Sequence, residues 1–348
     1  MHVAGKVISA MKTIVCQEPN RLIQTETTKP VPGAGEVLLR VARVGICGTD
    51  MHAYRGNQPF FVYPRILGHE LSGIVEALGA GVDGIEVGDQ AALIPYVACG
   101  ECAACRKGKS NCCTSISVLG VHADGGMREW FVVPAKQLLV VNDLSLDQAA
   151  ALEPLAIGAH AVRRSGLQQG DTAVVIGGGP IGLGVMAFAK SRGARVIAMD
   201  IQDEKLAFCS SWAGVDETIN ALNAPLEKLE SLTNGDLADV VFDATGSVRS
   251  MEGAFQYASH GGSVVYVGLV KADISFHDPD FHKKELTLLG SRNATMEDFA
   301  AVVDAVRSGA VEPTGYITHR CRFDELVDRF ESWLPPEAGV VKAMVQFE

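Results

Sequence analysis

The stretch TAVVIGGGPIGLGVMAFAKSRGARVIAMD, residues 172–200, decides the fold. Five residues rich in Val and Ile read as a buried strand, a run of glycines follows, and an apolar segment of helical length leads into a second strand ending on Asp200. Gly177, Gly179 and Gly182 stand in the GxGxxG arrangement, directly after the strand and opening the helix. The first permits a tight turn, the second lets a pyrophosphate approach the backbone, and the third lets helix and strand pack closely. Pro180 and Ile181 lie between them at the helix start, where unpaired amides face an anion. Asp200 comes about 20 residues after the first glycine, where a carboxylate accepts hydrogen bonds from an adenosine ribose. Ile201, Gln202 and Asp203 include no arginine to neutralise a 2′-phosphate, so NAD is expected over NADP, with Lys205 beside the nucleotide.

The alternation of strand and helix continues through ADVVFDATG and GGSVVYVGLV, which implies a parallel sheet covered on both faces. Before residue 150 the grammar differs. EVLLRVARV (36–44) alternates at a period of two, ELSGIVEALG and DQAALIPYV follow in kind, and glycine-rich turns separate them, as in a β-barrel-like domain with long loops. The segments MEDFAAVVDAVRSG and FDELVDRFESW read as helices and VVKAMVQF as a closing strand. At 348 residues the length suits about two domains. A net charge of −11 argues against nucleic acid and anionic membranes as partners. No signal-peptide core or transmembrane run is read, so a cytoplasmic protein is expected, with residues 1–10 a functionless extension before a strand starting at Met11.

Five of the nine cysteines fall in CGECAACRKGKSNCC, 99–113. Cys99, Cys102, Cys105 and Cys113 can wrap one Zn2+ tetrahedrally, and four sulfur ligands leave no position for substrate, so the expected role is structural. A redox Cys-x-x-Cys and an iron–sulfur cluster are the competing readings, and Cys112 is left over. A sparser set consists of Cys47 and His52 in GICGTDMH, His69 and Glu70 in GHE, and Glu153 in LEP. One thiolate, one imidazole and one carboxylate leave a fourth metal position open, as catalysis requires. Each signal alone is weak, since a lone Cys is usually a small buried hydrophobe.

GICGTD, GHELSG, the four-cysteine segment, LEP and VVIGGGPIG, taken in this order, resemble the zinc-dependent medium-chain alcohol dehydrogenases, in their sorbitol dehydrogenase-like branch, over nearly the whole chain from Met11. The resemblance implies an α/β protein: a GroES-like β-barrel catalytic domain (1–155), a Rossmann doubly wound parallel sheet binding NAD (156–295), and a return to the first domain (296–348). It implies two zinc ions per chain. Cys47, His69 and either Glu70 or Glu153 would hold the catalytic one. Thr49 would take the proton of a secondary alcohol and His52 pass it on while hydride goes to nicotinamide, and Asp50 would brace the site. A homodimer or tetramer is also implied. YRGNQPFFVYPR, SVLGVHADGG and FHKKELTLLGSRNAT resemble the bacterial hexonate 5-dehydrogenases, those of L-galactonate first and L-gulonate second, with other polyols as the alternative substrate class. A hexonate carboxylate needs a local cation, for which Arg292 is the candidate, with Lys283 and Lys284 read as a solvated face. Tyr54, Asn57 and His122 are candidates for bonding sugar hydroxyls. A non-catalytic nucleotide sensor containing zinc would explain the glycine motif but not Cys47, His69 and Glu70.

Overall fold

The computed structural model describes residues 10–58 and 61–347. The expectation for residues 1–10 falls almost wholly outside them, as do Pro59 and Phe60 of the YRGNQPFFVYPR stretch. The chain forms two compact units, one of residues 1–153 with 313–348 and the other of residues 154–312.

In the second unit Thr172–Ile176, Pro180–Ser191 and Arg195–Asp200 form the strand, helix and strand read from the sequence. Six parallel strands stand in the spatial order Glu217–Asn220, Arg195–Asp200, Thr172–Ile176, Ala238–Asp243, Ala258–Tyr266 and Thr287–Gly290. This is the doubly wound order, whose reversal beside the first strand opens a crevice at the glycine turn. Val174, Ile176, Ile197, Met199, Val241 and Val264 form its core. The helix Met296–Arg307 also belongs to this unit, and the chain leaves it only at Pro313. The reason is chemical: the buried Asp298 in its first turn accepts from His160 (2.9 Å) and from Arg163 (2.7 Å) on the helix Leu152–Ser165.

The first unit is built on the strand Glu36–Ile46, which pairs antiparallel with Glu70–Leu78, Trp130–Pro134 and the closing strand Lys342–Gln346. Val37, Leu39 and Val41 point into the core as their alternation requires. Leu38 and Ala42, on the alternate positions, are buried as well, and the pairing with Glu70–Leu78 shifts register between Leu38 and Leu39 and between Val41 and Arg43. DQAALIPYV is not one strand. It breaks at Pro95, which has no N–H for a ladder, into Gln90–Leu93 in the large sheet and Tyr96–Val97 in a separate hairpin. FDELVDRFESW is likewise not a single helix but three short turns, Phe323–Glu325, Leu326–Arg329 and Phe330–Trp333.

Candidate active site

Cys47 ends the strand Glu36–Ile46 by starting the helix Gly48–Tyr54. Its backbone N–H donates to Asp50 Oδ2 at 2.9 Å, and Asp50 Oδ1 faces His69 Nδ1 at 3.7 Å. Asp50, fully buried, therefore lies against both the Cys47 turn and the His69 ring. His69 and Glu70 start the next strand, and Gly45 lies directly across from Glu70 in the ladder. A Cβ on Gly45 would come within 2.3 Å of Glu70 Oε2, so glycine in VGICGTD makes room for that carboxylate. The loop before His69 is held by the end of SVLGVHADGG and the residue after it: Gly125, Gly126 and Met127 donate to the carbonyls of Ile66 (2.7 Å), Gly68 (2.9 Å) and Leu67 (3.0 Å). A Cβ at Gly125 would stand 2.3 Å from Gly68 O.

Cys47, His69 and Glu70 each offer a ligand atom within 4.8 Å of the others. Glu153 is buried nearby, and Tyr96 donates its hydroxyl to Glu153 Oε1. Burial pushes the Glu153 carboxyl up to about 7, a rise that His69 opposes and Glu70 reinforces. Burial also works against a charge on His69, yet Asp50 and Cys47 outweigh it and push His69 well above the ordinary histidine range. Against these anions stands Lys342, only 2% exposed, whose Nζ donates to both Glu70 oxygens at 2.6 and 2.7 Å and to Ile46 O at 3.3 Å. The Lys342 ammonium and the His69 imidazole face three buried carboxyls and a thiol, so groups that can be negative outnumber those that can be positive. Asp50 Oδ1 and His69 Nδ1 are buried without a hydrogen-bond partner. The donor set and this imbalance fit a divalent cation held by sulfur, nitrogen and oxygen.

The four-cysteine segment is a second cluster of the same unit. Cys99, Cys102, Cys105 and Cys113 meet within 4.8 Å, with sulfur separations of 3.5 Å (Cys102–Cys105 and Cys99–Cys113) and 4.0 Å (Cys99–Cys105). Four sulfurs at Zn–S distances sit about 3.8 Å apart, so the cage has the right size. The N–H groups of Cys105 and Thr114 bring Cys102 down to about 5, and the N–H of Cys99 lowers Cys113. Cys112 is exposed and stands outside the four.

At the glycine turn, Gly177 has φ +105° and a Cβ on Gly182 would lie 1.8 Å from Gly177 O, whereas one on Gly179 would meet nothing within 4 Å. The first and third glycines are steric necessities, and the second faces open space. Pro180 is the first helical residue, and Gly179 the N-cap. Asp200 is buried; it accepts from Gly178 N (2.7 Å) and Gln202 N (3.0 Å), and so ties the turn to the end of its own strand.

Other candidates are scattered. Thr49 is half-buried and His52 exposed, both on the helix that Cys47 caps and three residues apart, hence on one face. Tyr54 is corrected: it is a core residue, its ring tilted against that of Phe330, with its hydroxyl directed to Asn20 O at 3.0 Å and to Glu331. His122 Nδ1 accepts from Val118 N at 3.0 Å, bracing its own turn, while Asn57 is exposed. Arg292 is exposed on a loop of the other unit. Lys284 is not simply solvated, because its Nζ donates to the carbonyls of Ala258 (2.7 Å) and Gln256 (3.2 Å). Sequence reasoning missed Lys342, Tyr96, Gly45 and Tyr316, the last fully buried among Glu70, Glu153 and Cys47, which with burial raise its phenol well above the usual range. A lysine opening the apolar strand KAMVQ was the one available signal.

Residues 33–143 match the alcohol dehydrogenase GroES-like domain and residues 180–308 the zinc-binding dehydrogenase family. The L-galactonate-5-dehydrogenase of Escherichia coli K12 is 42% identical over 343 residues, 98% of this chain and 100% of that one. The chain belongs to the zinc-dependent medium-chain alcohol dehydrogenases. As a member of that family it is an oxidoreductase acting on CH–OH groups of small molecules, with zinc and a nicotinamide dinucleotide. The GroES-like and Rossmann architecture expected from the sequence is thereby borne out. The 2-dehydro-3-deoxy-L-galactonate 5-dehydrogenase of Pseudoalteromonas atlantica is 36% identical, over 82% of this chain and 84% of its own. The crystal structure of the alcohol dehydrogenase RspB from E. coli CFT073 with NADH superposes with a TM-score of 0.91 at 34% identity, covering 97% of this chain and 100% of that one. Among the described residues no helix is long and apolar enough to cross a membrane.

Proposed function

We propose that the protein is an NAD-dependent dehydrogenase of a sugar acid, oxidising the C5 hydroxyl of L-galactonate to the keto-acid D-tagaturonate. The observation that carries the chemistry is the trio of half-buried Cys47 with buried His69 and Glu70, with Glu153 beside it in a pocket where acidic groups outnumber basic ones. The substrate class is supported by two relatives whose names both specify oxidation at C5 of a galactonate. L-Gulonate, or a polyol such as sorbitol, is the second reading.

Cys47, His69 and Glu70 would hold the catalytic zinc, with Glu153 as reserve carboxylate, and the four lobe cysteines the structural one. Bound zinc supplies Lewis acidity that makes a secondary alcohol easier to deprotonate. Thr49 accepts the alcohol proton and hands it along the helix face to the exposed His52, which releases it to water. Asp50 keeps the His69 ring oriented. The turn at Gly177, Gly179, Pro180, Ile181 and Gly182 seats the dinucleotide phosphates, while Asp200, with Lys205 beside it, takes the adenosine ribose and disfavours a 2′-phosphate. Arg292 is assigned to the hexonate carboxylate.

The edge strand Thr287–Gly290, with Leu288 exposed, supports a homo-oligomer joined along that edge. Thiol-rich metal sites suit the reducing cytoplasm. A panel of hexonates and polyols assayed by NADH appearance tests the reading. L-Galactonate is expected to have the highest kcat/KM; a polyol outrunning every hexonate would overturn the substrate, and a preference for NADP the cofactor.

A further inference from the structure

Two glutamates border the Cys47 and His69 pair, and different partners hold them. Glu70 is gripped through both oxygens by the Lys342 ammonium, whereas Glu153 is held at Oε1 by the neutral Tyr96 hydroxyl. An ion pair with two contacts is much the stronger tether in a buried setting. Yet Glu70 groups with Cys47 and His69, and Glu153 stands outside that set. The position of Glu153, the carboxylate outside the set, is thus held by a neutral donor and not by an ion pair.

Tyr96 reaches this place because of Pro95. The break in DQAALIPYV moves Tyr96–Val97 out of the large sheet into a hairpin with Ser117–Val118, in which Tyr96 pairs with Val118. That hairpin closes the loop carrying Cys99, Cys102, Cys105 and Cys113. Gln137, itself buried, pins the same backbone by donating to Ile94 O at 2.6 Å and to Tyr96 O at 3.1 Å, and Leu119 N donates to Pro95 O at 3.0 Å. The lobe read as purely structural thus supplies the base from which a phenol enters the catalytic pocket.

We propose that Tyr96 is a positioning residue for the reaction: its hydroxyl holds Glu153 off the metal, so that Glu70 is the resting ligand and the remaining position stays open to the alcohol. This rests on the assignment of zinc to Cys47, His69 and Glu70. In Tyr96→Phe the Glu153 carboxylate loses its donor inside a buried pocket where His69 and Lys342 are already engaged by Asp50 and Glu70, so a bound metal would be the compensating charge open to it.

The test uses the full-length protein loaded with cobalt(II), with Cys47→Ser as the blank for the lobe's contribution. Tyr96→Phe is expected to alter the visible cobalt spectrum of the catalytic site, slow metal loss to a chelator on the order of tenfold, and raise KM for the alcohol more than it lowers kcat. Glu153→Gln has no charge to pull toward the metal, so adding Tyr96→Phe to it is expected to change neither spectrum nor metal release. An unchanged spectrum and release rate in Tyr96→Phe, or equal changes with and without Glu153→Gln, would overturn the proposal. If Cys47→Ser itself kept the full cobalt spectrum, the zinc assignment would fall and the inference with it.

Discussion

The two cysteine-containing clusters of the first unit are built on opposite principles. The lobe draws its four cysteines from fifteen consecutive positions near the surface, and backbone N–H groups of the same loop lower Cys102 and Cys113, whereas burial and the neighbouring thiols push Cys105 up to about 12. The Cys47 cluster draws its candidate ligands from two strand ends, is neighboured by Glu153 from a helix, and has Lys342 from the far end of the chain as counter-charge to Glu70. A local loop can satisfy four thiolates by itself, with no position left for substrate. An open site must bury uncompensated charge, which only distant parts of a fold can support.

The sharpest way to break this comparison is at Cys47. Cys47→Ser is expected to lower kcat by at least about a thousandfold while the protein stays folded, binds NAD and keeps about one zinc of about two per chain. Cys105→Ser should also lose about one zinc, but through collapse of the lobe, seen as early thermal unfolding. Equal behaviour of the two variants would abolish the distinction.

Next in size is Lys342→Met, which leaves Glu70 buried without its counter-charge. We expect the metal-free protein to lose about 3–5 kcal/mol in urea unfolding, with part regained on adding zinc; Lys342→Arg should retain more. Loss below about 1 kcal/mol would mean that the pair is not buried in solution. Asp50→Asn is expected to cost about 10- to 100-fold in metal affinity at the Cys47 site and nothing at the lobe, measured by chelator competition.

The smallest expected effect concerns a buried charge cluster that needs no metal. Burial opposes the Asp298 charge, but donors from His160, Arg163 and Thr295 outweigh it and hold its carboxyl well below the usual range. A lowered folded value means that the unfolded state binds the proton more readily, so this contribution is complete above pH of about 4 and fades as pH falls below it. Asp298→Asn should remove about 2 kcal/mol at neutral pH and flatten the acid limb of stability against pH. An unchanged acid limb would show that the cluster carries no charge-dependent stability.

Legibility followed locality. The Rossmann half was readable because strand, turn, helix and acid are contiguous, and Gly177 and Gly182 are steric requirements within a few residues of each other. The cysteine spacing was readable for the same reason. Cys47, His69, Glu70 and Glu153 suggested a metal set only in combination, and the family resemblance strengthened it, since nothing local to any one of them marks it as a ligand. Tyr54 misled because a tyrosine in a polar loop sequence looks available, while its ring is core and its hydroxyl is already committed.

The sequence alone therefore determined the fold class, the glycine turn, the four-cysteine cluster and the residues from which the candidate site is drawn. Only the tertiary structure decided that Lys342 balances Glu70, that Gly45 makes room for it, and that Tyr96 holds Glu153. Charge compensation and close packing in a buried pocket act across space, between residues whose separation along the chain leaves no periodic trace.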